Sequence, residues 1–146
     1  MMQLTRTDIP LRAAATKCTY LTDAGFVTDT IREAVAGSSA LVLEANHDVE
    51  MLKNGPYPRH LKQRILSTLG HLSNDTAGHF LTELERLPEH IVLAHLSEHN
   101  NLPQLAQDTV QNILHDNNRL QETELFVAAQ NRVVADSPLL AGLDLK

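Results

Sequence analysis

A single cysteine, Cys18, in a chain of 146 residues leaves no internal disulfide to be made. No apolar run approaches the roughly 18 residues of a membrane-spanning helix. The N-terminus, Met1-Met2-Gln3-Leu4-Thr5-Arg6, opens no signal-peptide core. The expectation is a soluble cytoplasmic protein with no membrane partner. Basic charge is scarce as well: 12 Lys+Arg stand against 18 Asp+Glu, for a net charge of −6 with histidine neutral. That balance excludes a general electrostatic grip on nucleic acid or anionic lipid and leaves any phosphate binding to local features. Internal repeats, low-complexity tracts and composition shifts that would mark a domain boundary are also missing. What is there is ordinary globular material, 42% hydrophobic and 21% charged, at a length that suits one domain burying about 68–70% of its unfolded surface. Eight histidines are the unusual feature, pointing either to metal or to surface polarity.

Segment 17–23, Lys-Cys-Thr-Tyr-Leu-Thr-Asp, is β-branched and aromatic enough for a strand, and Ala24-Gly25 ends it. A short helix over 27–36, closed by Gly37, leads to 40–45, whose continuous apolar run is the pattern of a strand buried on both faces. Asn54-Gly55-Pro56-Tyr57-Pro58 is a turn, and Leu61, Ile65, Leu66 and Leu69 fall at helical spacing behind it, with Gly70 as the stop. Another helix starts after Ser73/Asn74 and carries the stripe Ala77, Phe80, Leu81, Leu84 and Leu87 up to Pro88. A second buried-type strand spans 91–96. Asn100, Asn101 and Pro103 then open a helix with the stripe Leu102, Leu105, Ala106, Thr109, Val110, Ile113 and Leu114. A last strand covers 122–129, and 136–146 read as a loose tail. The order β-α-β-α-α-β-α-β implies an α/β layer with a largely parallel or mixed sheet.

Asp23, Glu44 and His95 stand at the carboxyl ends of the first three of these strands, where open α/β sheets place their ligands. Carboxylate oxygen and imidazole nitrogen together suit Zn²⁺, Mn²⁺ or Fe. Each residue alone has a plainer reading, as a turn aspartate or a hydrogen-bonded core histidine; their coincidence at one rim is what points to a site. His71, with Ser73 and Asn74, occupies the joint between two helices. That position suits a general acid or a phosphate-orienting group, and equally a helix cap beside an exposed histidine. Ser97 and Asn100 lie in the loop after His95, ahead of a helix whose N–H groups are open to an anion. His60, His79, His90, His99 and His115 have no comparable arrangement and read as surface residues.

Five motifs in order carry a resemblance: Thr22-Asp23-Ala24-Gly25-Phe26-Val27-Thr28-Asp29, Leu43-Glu44-Ala45-Asn46-His47-Asp48, Asn54-Gly55-Pro56-Tyr57-Pro58, Gly70-His71-Leu72-Ser73-Asn74, and Leu93-Ala94-His95-Leu96-Ser97-Glu98 with Asn100-Asn101. Over about residues 16–135 they resemble the C-terminal half of the metallo-β-lactamase-fold hydrolases. They are most similar to the exonuclease-like WalJ/YycJ-type branch, related to tRNase Z and RNase J. The resemblance implies two divalent ions, Zn²⁺ or Mn²⁺, about 3.5–4 Å apart. Asp23 matches the aspartate bridging them and His95 the last histidine ligand of the second. It gives Glu44 and His71 as the pair that positions and protonates the leaving oxygen, with Ser73, Asn74, Ser97 and Asn100 near the substrate.

The family's first metal motif, His-x-His-x-Asp-His, occurs nowhere among the eight histidines, and residues 1–15 do not resemble family sequence. The expectation is therefore α/β, the C-terminal half of an αββα sandwich: a truncated metal-dependent phosphodiesterase, 5′-to-3′ exonuclease-like on nucleic acid and inactive alone. The competing expectation is a non-catalytic interaction module that self-associates as a homodimer or binds a complementing N-terminal half.

Overall fold

A computed structural model describes residues 17–128 in full and Met2–Thr5 as a backbone strand. The tail expected over 136–146, and the end of the last expected strand, lie outside the described residues. Among the described residues, β1 (Met2–Thr5), β2 (Lys17–Leu21), β3 (Ala40–Glu44), β4 (His90–Ala94) and β5 (Glu124–Val127) form one sheet in chain order. β2 to β5 run parallel, and β1 pairs antiparallel on the edge against β2.

Parallel neighbours need crossovers, and helices supply them. α1 (Asp29–Val35) joins β2 to β3. α2 (Val49–Asn54), α3 (Arg59–Ile65) and α4 (Asn74–Glu83) lie between β3 and β4. α5 (Pro103–Asp116) and a 3₁₀ turn, Leu120–Glu122, lead into β5. Caps fix where the helices begin: Thr28 Oγ1 accepts from Ile31 N, Asp48 Oδ1 from Met51 N and Ser73 Oγ from Thr76 N. None of the helices among the described residues is long and apolar enough to cross a membrane.

Alternation along the strands sends Leu21, Leu41, Leu43, Ile91 and Leu93 to one face. There they join Val35, Phe80, Leu81, Val110 and Leu114 from α1, α4 and α5 in a single buried cluster. Each such burial stabilises by roughly 1.5–3 kcal/mol. The register sets Tyr20, Val42, Val92 and Phe126 side by side across the other face, and these stay half-buried or exposed. The runs 40–45 and 91–96 are therefore not covered equally on both faces, as their unbroken apolar character predicted. A continuous run does not say which face its helices cover.

Two elements correct the expected order. β1 falls in the segment read only as unlike the family, where a four-residue strand has no periodicity to show. α2 has six residues and buries only Leu52, less than one apolar stripe; its start is carried by the Asp48 cap alone.

Candidate metal and phosphodiester site

The carboxyl ends of β2, β3 and β4 lie side by side, and the loops leaving them are stitched together. Ala45 N donates to Ala94 O, Asn46 N to Leu72 O, and Ser97 N to Asn46 O at 2.7 Å; Asn46 Nδ2 donates to His95 O. Asp23 and His95, just past their strands, take left-handed backbone at φ 58° and 57°. That conformation costs non-glycine residues on the order of 1–2 kcal/mol and concentrates at functional sites.

Glu44 organises the centre and has no exposed surface (0%). Its Oε1 accepts from His71 Nδ1 at 2.8 Å and from His95 Nδ1 at 2.6 Å. Its Oε2 accepts the backbone N–H of Leu72 at 3.2 Å and of Ala24 at 3.3 Å. Four donors thus compensate a buried carboxylate that would be prohibitive if unpaired. With Nδ1 of each imidazole engaged, Nε2 of each is the atom left for a ligand or a proton. The two rings meet edge-on, centroids 5.2 Å apart. Asp23 Oδ1 lies 3.9 Å from His71 Nδ1 and 3.8 Å from His95 Nδ1. Ligand atoms of Asp23, Glu44, His71 and His95 all fall within 4.8 Å of one another.

His71 is held from behind. Its N–H donates to Ile65 O at the end of α3, and Gly70 N donates to Ser67 O. Gly70 and Gly25 make that approach possible: a Cβ on Gly70 would strike the Ile65 carbonyl, and one on Gly25 the Thr68 carbonyl.

The remaining residues singled out from the sequence divide. Ser97 lines a cavity of about 830 Å³ shared with Asp23, His71 and His95. Ser73 caps α4, and Asn74, fully buried, exchanges two 2.9 Å amide hydrogen bonds with Asn101. Asn100 is buried; its carbonyl accepts from Asp48 N, and its Oδ1 has no partner. Sequence reading missed Arg64 and Tyr57, which line the cavity, and set aside His99, which lines it too and meets the Tyr57 ring edge-on at 5.9 Å. His90, also read as surface, is half-buried in β4, 3.2 Å from Glu124.

His47 belongs to the Leu43-Glu44-Ala45-Asn46-His47-Asp48 motif. It is 1% exposed, with Nε2 unpartnered. Burial, and secondarily the neighbouring His71, hold its imidazole below the usual histidine value. A histidine kept neutral in the fold but free to protonate when unfolded stabilises fully above its unfolded pKa near 6.5, and that contribution is lost as pH falls through the lowered folded value. Urea midpoints at pH 7.5 and 5.5 are expected to fall toward acid, and by less in His47→Gln; equal drops would assign the acid sensitivity elsewhere.

No family model matches the chain. Curated proteins do. Over 119 residues it is 42% identical to exodeoxyribonuclease WalJ of Streptococcus pneumoniae, covering 81% of this chain and 42% of that protein. Over 101 residues it is 42% identical to exodeoxyribonuclease YycJ of Bacillus anthracis, covering 68% of this chain and 38% of that protein. This chain is a relative of the WalJ/YycJ-type branch. That branch lies among the metallo-β-lactamase-fold proteins, as the five motifs implied. The chain spans about two-fifths of the length of the WalJ and YycJ proteins it matches.

Proposed function

We propose that this chain carries one half of a metal-dependent phosphodiesterase site in a metallo-β-lactamase αββα sandwich, acting on DNA from an end. The observation supporting this most strongly is the single Glu44 oxygen bonded by Nδ1 of both His71 and His95, with Asp23 beside them. A carboxylate oxygen of Asp23 and the His95 imidazole, its orientation fixed by the Glu44 carboxylate, are donors that fit Zn²⁺ or Mn²⁺. Asp23 and His95 would hold the ion. When bound, a divalent cation supplies Lewis-acid polarisation of a phosphoryl oxygen. Glu44, buried away from substrate, is a positioning residue; His71 gives a proton to the leaving oxygen. Ser97 on the cavity wall is placed to meet a phosphate oxygen. Ser73, Asn74 and Asn100 act at one remove, as the frame of the loops.

A site for two ions needs more ligands than these, and no His-x-His-x-Asp-His spacing occurs in the sequence. This chain by itself is expected to bind Zn²⁺ or Mn²⁺ only at micromolar affinity or weaker and to lack turnover of 5′-phosphorylated DNA. Calorimetry and a Mn²⁺-supplemented nuclease assay check this. Asp23→Ala should erase the metal signal. Tight binding of two ions, or turnover abolished by Asp23→Ala, would show a full enzyme.

The second reading, an interaction module in the cytoplasm, is favoured by the row Tyr20, Val42, Val92 and Phe126, with Tyr20 43% exposed. Burying such a face favours dimerisation or capture of a complementing half. Sedimentation at micromolar concentration is expected to show self-association that Tyr20→Glu weakens; a monodisperse monomer that binds no hydrophobic dye removes this reading.

A further inference from the structure

Residues 51–74 contain no aspartate or glutamate, yet carry Lys53, Arg59, Lys62 and Arg64, four of the chain's 12 Lys+Arg. This cationic stretch in an acidic protein includes α3, whose end is bonded to His71. Other arginines are spent internally: Arg32 pairs with Glu83, and Arg119 with Glu122. Among the described residues, Arg59, Lys62 and Arg64 have no acidic partner, and the Arg59 and Arg64 guanidinium groups bond to nothing. Arg64 lines the same cavity as Asp23, His71 and His95, and so do Tyr57 and His99, a ring pair. Glu98 puts its negative charge on the His99 loop, which leaves the α3 side to a phosphate.

From this we infer that α3 and the turn before it form a grip for single-stranded nucleic acid. Arg64, with Arg59 further along, takes backbone phosphates next to the one presented to His71, and an unpaired base rests against the Tyr57–His99 pair. Guanidinium forks suit phosphate oxygens, and a ring platform accepts any unpaired base without reading its sequence. The grip rests on the phosphodiester reading of the His71–His95 cluster and deepens it, selecting an unpaired strand as the segment held. It also supplies locally the phosphate affinity that the overall charge denies.

The test is fluorescence anisotropy of a 5′-phosphorylated, labelled twelve-nucleotide oligo-dT against the full chain, in EDTA so that neither metal nor turnover contributes, between 50 and 200 mM KCl. Arg64→Gln and Arg59→Gln are each expected to weaken binding several-fold at low salt and to flatten the log–log salt slope by about 0.7. Tyr57→Leu should weaken binding about 5-fold or more with the slope unchanged. Arg86→Gln, outside the cavity, should do neither, and thermal midpoints of the arginine variants should match wild type. Wild-type binding with unchanged affinity and slope in the Arg64 and Arg59 variants overturns the grip and leaves the site reading intact. An equal loss in Arg86→Gln overturns it too, by making the attraction general. Absence of wild-type binding at every salt concentration also overturns the grip, while the metal titration with Asp23→Ala separately decides the site.

Discussion

Glu44→Leu is expected to lower the thermal midpoint by on the order of 10 °C and to abolish divalent-cation binding. The carboxylate is 0% exposed and is the common acceptor for His71 Nδ1, His95 Nδ1, Leu72 N and Ala24 N. Leucine removes that acceptor and leaves its donors without it in a space closed to water. Orphaned buried donors cost about 1–3 kcal/mol each, and relaxation of the exposed His95 and half-buried His71 recovers part of the total. A net loss of about 3 kcal/mol or more shifts the midpoint of a domain this size by roughly 2–4 °C per kcal/mol. Glu44→Gln separates charge from shape: its amide oxygen can still accept from the histidines, but its NH₂ would face the Leu72 and Ala24 donors. It should melt between wild type and the leucine variant and bind metal at least 10-fold more weakly, the scale of outer-sphere carboxylate effects. A leucine variant that melts and binds metal like wild type would remove Glu44 as the organising group.

Gly70→Ala should destabilise by about 3 kcal/mol and break the His71–Glu44 hydrogen bond while leaving every site side chain in the sequence. The added methyl would meet the backbone carbonyls of Ile65 and Arg64, which cannot swing aside as a flexible side chain would. The turn must open, and His71 moves with it because its own N–H is bonded to Ile65 O. Gly25→Ala strikes the same turn from the Asp23 side, at Thr68 O, and should give a similar loss. Urea unfolding measures the stability; the downfield imidazole N–H resonances measure the bond. The prediction fails if Gly70→Ala unfolds like wild type with the His71 signal intact.

The two glycines mark the limit of local reading. In sequence both look like ordinary punctuation, at a strand end and a helix stop. Only in the fold does each prove to be where one backbone passes another. His95 and Glu44 were more legible, because each alone has a plainer reading but together with Asp23 they end three neighbouring apolar runs. His99 and Tyr57 were not, since a surface-type histidine and a turn tyrosine carry no mark of the cavity they share.

The sequence by itself determined the α/β class, a sheet that is largely parallel or mixed, most helix starts, and three of the four central residues as strand-end groups, with His71 at a helix joint. Strand periodicity, caps and turn residues act over a few neighbours, so they survive being read from a line of letters. Tertiary structure decided the rest. It brought strand ends 20 to 51 residues apart within hydrogen-bond reach of one carboxylate, as the Ala24–Glu44 and Glu44–His95 pairs record. It placed β1 against β2, gathered α1, α4 and α5 on one face of the sheet, and set Arg64 of α3 in the cavity of the two histidines. These are consequences of strand register and chain crossing, which depend on contacts between distant residues and leave no local signal.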